Sequence, residues 1–185
     1  MALTPSTMLP LGTAAPDFSL PDVVTGKTVA RASFDGQALL VIFLCRHCPY
    51  VKHVEHELSK LGYDYAAGNI AIVGISANDA EAYPADAPAS LAEWAKAADI
   101  AFPILYDETQ AVARAYHAAC TPDFFLFDAA HKLAYRGQLD NSRPGNGIPV
   151  TGADLRYAMC AVLDGRHPSS LQKPSLGCNI KWKAA

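Results

Sequence analysis

The strongest pattern in the chain is an uncharged apolar run followed at once by a helical repeat. Residues 38–44 are apolar and rich in branched and aromatic side chains, which predicts a strand buried on both faces. From Pro49 onward, apolar and polar residues alternate with helical spacing, which predicts an amphipathic helix. Residues 70–75 form a second apolar run. A strand, a helix and a strand in this order predict a right-handed parallel crossover.

The remaining patterns complete an α/β domain. A turn at Thr25 and Gly26 separates two short strands and predicts an N-terminal hairpin, and residues 124–127 with 132–136 predict another. Helices are expected from Ser90, where Glu93 completes a capping box, near residues 109–116, and after Thr151, with Asp154 in its first turn. We therefore expect one central mixed sheet flanked by helices on both faces. The expected organisation is a tail (residues 1–14), a domain (15–166) and a C-terminal tail packed on that domain (167–185).

Composition narrows the function. The chain has 185 residues, 18% of them charged, with a net charge of −3, which gives no electrostatic reason to expect nucleic acid. No apolar stretch is long enough to span a bilayer, so no membrane partner is expected. The first Lys or Arg is Lys27, so no positively charged segment precedes an apolar core, and we expect no signal peptide and a cytoplasmic protein. Five cysteines, an odd number, favour reactive thiols over a disulfide framework.

The candidate chemistry lies at the junction of the first buried strand and its helix, in Cys45-Arg46-His47-Cys48. The start of a helix favours negative charge, so a thiol there ionises more easily, and a second thiol three residues away can resolve a mixed disulfide. We expect Cys45 to be the low-pKa attacking thiol and Cys48 the resolving thiol. His47 is expected to stabilise the Cys45 thiolate and so to make the disulfide more oxidising. No cofactor is needed for this chemistry.

A metal carrier is the alternative from another class. Cys45 and Cys48, together with His47 or His53, could bind copper or zinc. Zinc normally takes four ligands, and no second Cys-x-x-Cys follows, so the redox interpretation is preferred. His53 and His56 are one helical turn apart, which more often describes a solvated helix face than a metal site.

Several polar residues are candidates for a supporting role. Asn78 and Asp79 follow the second buried strand and are expected at the sheet edge that carries the cysteines, although they could equally stabilise their own turn. Asp140 and Arg143 lie in a long loop, residues 138–150, where they are expected to pair with each other. Arg46 belongs to the cysteine motif itself.

Three stretches of the chain resemble the thioredoxin superfamily, and among its members the peroxiredoxin-like branch, the alkyl hydroperoxide reductase/thiol-specific antioxidant group. These stretches are Ala15-Pro16-Asp17-Phe18, Cys45-Arg46-His47-Cys48 and Cys120-Thr121-Pro122-Asp123-Phe124. The resemblance runs from about Ala15 to Trp182. It implies a thioredoxin-like fold, a redox-active Cys-x-x-Cys and a cis peptide bond before Pro122. It also implies that Thr121 offers its backbone to an extended substrate. Cys120 would then lie near the active thiols, and the equal alternative is a buried structural cysteine.

The resemblance leaves two redox reactions open. Peroxiredoxins place a Thr or Ser three residues before the peroxidatic Cys, a Pro earlier in the loop, and an Arg near the cis-proline position. If Cys48 is the peroxidatic position, Cys45 replaces the Thr or Ser, Val41 replaces the Pro, and Thr121 stands about where the Arg would be. Thioredoxin proper has Trp directly before its first Cys and a buried Asp six residues before it, where this chain has Leu44 and Leu39. We therefore expect a thiol–disulfide oxidoreductase, with a thiol peroxidase as the alternative.

The partners follow from that chemistry. We expect a protein or small-molecule disulfide, or a hydroperoxide, as substrate, a thiol reductant as second partner, and a monomer or homodimer.

The C-terminal tail is expected to fold back onto the domain. Pro168 and Pro174 prevent a continuous helix, yet Ile180 and Trp182 are large apolar groups whose burial could contribute about 1.5–3 kcal/mol each. Cys178 lies beside them and is the cysteine most expected to join the redox cycle. The alternative is that the tail only covers an apolar patch.

Overall fold

The computed structural model describes residues 3–68 and 70–184. Within these residues the chain forms ten strands and four α-helices. The strands are β1 (Leu3–Pro5), β2 (Ser19–Pro21), β3 (Thr28–Ala30), β4 (Ala38–Phe43), β5 (Ile70–Ser76), β6 (Ile104–Tyr106), β7 (Cys120–Thr121), β8 (Asp123–Phe127), β9 (Leu133–Gly137) and β10 (Leu176–Asn179). The helices are α1 (Pro49–Tyr65), α2 (Pro88–Ala97), α3 (Ala111–Ala115) and α4 (Ala153–Leu163).

The central sheet has five strands in the order β6-β5-β4-β8-β9. Strand β4 pairs in parallel with β5, as the crossover predicts, and antiparallel with β8. All six residues of β4 are buried, because the sheet is covered on both faces. The structure thus confirms the predicted α/β class with a mixed central sheet.

Alternate residues of β4 point into two separate cores. Leu40 and Ile42 pack with side chains from α1, α2 and α4, and this core also contains Cys45, Cys48 and Cys178. Leu39, Val41 and Phe43 pack on the other face with α3, the Tyr116 ring and Ile180 of the C-terminal segment. The cysteines therefore lie at the border of one core, where β4 gives way to α1.

A second sheet joins the two ends of the chain. Its order is β1-β10-β7, with both pairs antiparallel. The segments expected as tails therefore contribute the first two strands of this sheet, and β7 leads directly to Pro122. The predicted N-terminal hairpin is present as a separate pair, β2 and β3.

Two helix starts differ from the predictions. Helix α2 begins at Pro88, because proline fits the first helical position, and Ser90 therefore lies inside the helix instead of capping it. Helix α4 follows Gly152 (φ 65°), whose N–H and that of Thr151 donate to the Asp140 carboxylate. Across the described residues, no helix is long and apolar enough to cross a membrane.

Candidate active site where strand β4 meets helix α1

The two cysteines of the motif lie on either side of the turn that follows β4. Cys48 is the residue that caps α1, with Pro49 as the first helical residue. Both cysteines are buried, at 1% and 0% exposure for Cys45 and Cys48. The helix start therefore acts most directly on the second cysteine, because Cys48 and not Cys45 adjoins the unpaired N–H groups.

Thr121 and Pro122 lie against both sulfurs. The peptide bond between them is cis, as the resemblance implied. The Thr121 hydroxyl lies 3.2 Å from the Cys45 sulfur, and the Thr121 carbonyl oxygen lies 3.2 Å from the Cys48 sulfur. The structure therefore brings together the two motifs that sequence reasoning had connected only through the resemblance.

Hydrogen bonding lowers the pKa of Cys48 to about 4. The largest cause is a hydrogen bond from the Cys45 thiol, and donors on Cys178, Thr121 and the backbone of Val51 add to it. Burial acts in the opposite direction, and the Thr121 carbonyl also favours the protonated form. The donors outweigh both, so the thiolate is favoured on Cys48.

Cys45 is affected in the opposite sense. Its hydrogen bond to Cys48, its burial and the nearby charge of Asp86 all raise its pKa. In this reduced arrangement the pKa shifts favour the thiolate on Cys48, which adjoins the start of α1, and not on Cys45, where we expected it. The assignment of the attacking thiol stays a prediction.

The Asp86 carboxylate organises the turn between the cysteines. Asp86 is fully buried and accepts hydrogen bonds from the backbone N–H groups of Arg46 (2.8 Å) and His47 (3.2 Å). Its other oxygen lies 2.5 Å from Nδ1 of His47 and 2.8 Å from the Asn78 amide nitrogen, which donates to it. Sequence reasoning missed Asp86, although this acid lies in the polar loop after β5 at the expected sheet edge.

The other polar candidates on this side divide into two groups. Asn78 joins the site through Asp86, as expected, whereas the Asp79 carboxylate accepts from the backbone of Glu81 in its own turn. The Arg46 guanidinium donates to the Ser90 carbonyl and lies away from any described thiol contact. Arg46 therefore contributes its backbone N–H to the site.

Asp140 and Arg143 do not form the expected ion pair. The Asp140 carboxylate accepts from backbone N–H groups, including that of Ser142 at 2.7 Å. The Arg143 guanidinium donates instead to the carbonyl oxygens of Asp140 and Ser142 and to the Gln138 side chain. Arg143 still lies close to the site, because it lines a small cavity together with Pro122.

The two accessory thiols differ in their contact with the site. The Cys178 sulfur lies 2.8 Å from the Cys48 sulfur. The nearest hydrogen-bond partner of Cys120 is the Pro122 carbonyl at 3.8 Å, and burial raises the pKa of this thiol. Cys160 is exposed and has no part in the site.

A buried acid follows the cis-proline. Asp123 is fully buried opposite Phe43 of β4, and burial raises the pKa of its carboxyl group well above the usual range. Sequence reasoning looked for a buried acid before Cys45 and found Leu39. The buried acid of this chain lies on the neighbouring strand β8, where its charge acts on the Cys120 thiol.

One group of residues among those the structure describes could hold a metal ion. Ligand atoms of Cys45, His47 and Asp86 all lie within 4.8 Å of one another. The group therefore contains Asp86 as its third member, where the metal alternative expected Cys48 as a ligand. His53 does not pair with His56, since its Nε2 lies 2.7 Å from the Ser142 hydroxyl.

The arrangement of the sheet, the cis-proline and the cysteine turn defines a thioredoxin-like fold. A thiol:disulfide interchange protein of the thioredoxin family from Chlorobium tepidum superposes with a TM-score of 0.63 at 22% identity, covering 82% of this chain and 97% of that one. At this identity the likeness concerns the fold alone.

The chain belongs to the AhpC/TSA family, whose sequence profile matches residues 11–136. An uncharacterized conserved protein from Geobacillus kaustophilus is 50% identical, with a TM-score of 0.98 over 100% of this chain and 98% of that one. A hypothetical protein from Sinorhizobium meliloti is 49% identical, with a TM-score of 0.96 over 98% and 100%. No curated protein matches the chain. Family and fold together support a thiol redox function.

Proposed function

We propose that the protein is a thiol–disulfide oxidoreductase that cycles Cys45 and Cys48 between the dithiol and the disulfide. The observation that carries this proposal is the pair of buried thiols at a helix start, with the Thr121 hydroxyl 3.2 Å from the Cys45 sulfur and the Thr121 carbonyl oxygen 3.2 Å from the Cys48 sulfur. The thiolate is the reactive form of cysteine, and here it is favoured without any added cofactor.

The exchange proceeds in two balanced steps. The Cys48 thiolate attacks one sulfur of the substrate disulfide and releases the other sulfur as a thiolate, which leaves a mixed disulfide on Cys48. Cys45 then loses its proton and attacks the Cys48 sulfur, which releases the second substrate thiol and forms the Cys45–Cys48 disulfide. A thiol reductant reverses both steps. Because both sulfurs are buried in the reduced form, substrate access requires local opening of the turn or of β10.

His47 and Asp86 support these steps without forming bonds to the substrate. Asp86 fixes the backbone of the turn, and its contact with the imidazole holds His47 beside Cys45. The imidazole Nδ1 lies against the Asp86 carboxylate, whose charge disfavours a thiolate on Cys45. Thr121 contributes the hydroxyl next to Cys45.

Hydroperoxide reduction by the same cysteines is the second candidate, and membership of the AhpC/TSA family favours it. In that reaction the Cys48 thiolate takes the terminal peroxide oxygen and releases an alcohol or water. Cys45 then condenses with the resulting sulfenic acid to give the same disulfide and water. A metal carrier built on Cys45, His47 and Asp86 is the third candidate.

The test compares the candidates on one preparation. With oxidised glutathione and dithiothreitol, the proposal predicts exchange activity that is lost in Cys48→Ser and kept in Cys160→Ser, which changes an exposed cysteine. If Cys48→Ser exchanges disulfides as fast as Cys160→Ser, the proposal is wrong. Consumption of hydrogen peroxide without disulfide exchange would favour the second candidate. Stoichiometric bound metal in the purified protein, together with inactivity towards both substrates, would favour the third.

The cytoplasmic location, the identity of the reductant and the monomer or homodimer state stay predictions.

A further inference from the structure

The C-terminal strand occupies the edge of the strand that precedes the cis-proline. Strand β10 pairs antiparallel with β7, with Cys178 opposite Thr121 and Asn179 opposite Cys120. Among the described strands, β10 is the neighbour of β7 in this sheet. An extended polypeptide that added to β7 would need the same backbone groups, so β10 already holds the position of an extended substrate.

The sequence of β10 permits this close approach. A Cβ atom at Gly177 would lie 2.0 Å from the Thr121 carbonyl oxygen, so any side chain at this position would displace one backbone from the other. The fit is therefore specific to glycine and places the next residue, Cys178, directly over the site.

Several contacts hold the segment that follows β10. The backbone N–H of Lys181 donates to the Asn78 side chain at 2.8 Å, and its carbonyl accepts from the Gln110 side chain and the Asp79 backbone, both at 2.9 Å. Ile180 is 1% exposed in the core opposite the cysteines. Since Asn78 also donates to Asp86, the segment is linked to the carboxylate that holds the cysteine turn.

Cys178 is in contact with the reacting atoms. Its sulfur lies 2.8 Å from that of Cys48, and the residue is 3% exposed. Cys48 therefore has two thiols near it: Cys45, three residues earlier in the chain, and Cys178 on β10. The proposed exchange between Cys45 and Cys48 gives no role to the third sulfur.

We propose that Cys178 is a third redox-active thiol, presented to Cys48 by a strand that acts as a built-in substrate, so that the disulfide passes between Cys45–Cys48 and Cys48–Cys178. The inference rests on the proposed function. In the step, Cys178 loses its proton and its sulfur attacks the Cys48 sulfur. The Cys45–Cys48 bond breaks, and Cys45 leaves with the electron pair and takes up a proton. The exchange is internal and needs no further oxidant.

Disulfide mapping of the full-length protein tests this step. The reduced protein and its variants are oxidised with oxidised glutathione, quenched in acid, alkylated and digested, and the disulfide-linked peptides are quantified by mass spectrometry. In Cys45→Ser, the inference predicts a Cys48–Cys178 disulfide as the main product, and in wild type both disulfides. Cys160→Ser should match wild type, because that residue is an exposed cysteine on α4.

The second measurement is the rate at which the mixed disulfide on Cys48 is resolved. In Cys45→Ser, the mixed disulfide of Cys48 with glutathione should disappear about a hundredfold or more faster than in the double variant Cys45→Ser/Cys178→Ser, because a thiol held in contact reacts as if highly concentrated. A stable mixed disulfide in Cys45→Ser, with Cys178 alkylated, would overturn the inference while leaving the proposed function intact. If no disulfide to Cys48 forms in any variant, both the inference and the proposed function fail. The Cys45→Ser arm leaves β10 unchanged, so it does not depend on how the strand tolerates substitution.

Discussion

Replacing Asp86 should loosen the turn that carries the cysteines. In Asp86→Ala, the backbone N–H groups of Arg46 and His47, the His47 imidazole and the Asn78 amide all lose their acceptor. Leaving a buried donor unsatisfied costs about 1–3 kcal/mol, and removing one partner of a buried charged group costs about 3–5 kcal/mol. The donors at Arg46 and His47 can regain water if the turn opens, so we expect a loss of about 3–5 kcal/mol in the free energy of unfolding. That loss is a large part of the ~5–15 kcal/mol typical of a domain.

The assay is urea unfolding of the reduced protein, followed by far-ultraviolet circular dichroism. Asp86→Asn keeps one acceptor oxygen for the backbone of the turn, so its loss should be smaller, about 1–3 kcal/mol. Asp79→Asn is the matched control from the same loop, because the Asp79 carboxylate accepts only from the backbone of its own turn. Its effect should stay within about 0.5 kcal/mol.

The ordering of the three variants decides the result. Unfolding free energies that rank Asp86→Ala lowest, Asp86→Asn next and Asp79→Asn near wild type support the account. If Asp86→Ala unfolds within about 1 kcal/mol of Asp79→Asn, the carboxylate does not hold the turn.

Three further predictions concern the charges on the thiols. The ultraviolet absorbance of the thiolate in the reduced protein should disappear in a step near pH 4, and this step should be missing in Cys48→Ser. Cys45→Ala should move the step to higher pH. Cys45→Ser keeps a hydroxyl donor and should therefore move the step by a smaller amount. Because the folded pKa of Cys48 lies below its ordinary value of 9.0, the thiolate stabilises the fold in full only above that value and this stabilisation is lost as the pH falls towards 4. The stability difference between reduced wild type and Cys48→Ser should therefore grow from about pH 5 to pH 8, and a flat difference would contradict the assignment. His47→Ala should lower the reduction potential against glutathione, by roughly 30 mV for each ~1.4 kcal/mol, because the imidazole that contacts the Asp86 carboxylate is then missing and the carboxylate charge disfavours the negative charge that the thiol pair carries in the reduced form. An unchanged or higher potential would refute this.

The sequence predicts those features that depend on local pattern. The apolar run 38–44 and the helical repeat after Pro49 each carry their own periodicity, so β4, α1 and the position of the cysteines between them follow directly. The cis bond before Pro122 followed from the resemblance and not from the residues alone, since a trans bond is far commoner before proline.

The features that the sequence did not predict depend on contacts between distant segments. Asp86 lies 39 or more residues from the turn that it holds, and only the folded loop after β5 brings it there. The low pKa of Cys48 depends on where α1 begins, and a sequence pattern places that boundary only to within a few residues. Likewise, Asp140 was matched with its neighbour Arg143, whereas backbone N–H groups at the start of α4 provide its actual partners.

The C-terminal segment contains one feature that the sequence predicted and one that it did not. Its apolar residues indicated that it packs on the domain, and Ile180 is buried accordingly. Trp182 stays 38% exposed, with the Arg114 guanidinium 4.4 Å above its ring. The pairing of Cys178 with Thr121 could not be read from the sequence, because β10 and β7 carry no pattern that fixes their register.

The most direct test of the central claim is a redox titration of the protein against glutathione, with the state of each cysteine read by alkylation and mass spectrometry. We expect a reversible two-electron transition in which Cys48 leaves the alkylated pool together with Cys45, and we expect this transition to be absent in Cys48→Ser. Exposed Cys160 should remain alkylated throughout and serves as the internal reference. If Cys45 and Cys48 stay fully alkylated across the glutathione range, or if Cys48→Ser titrates like wild type, the cysteine turn is not a redox centre.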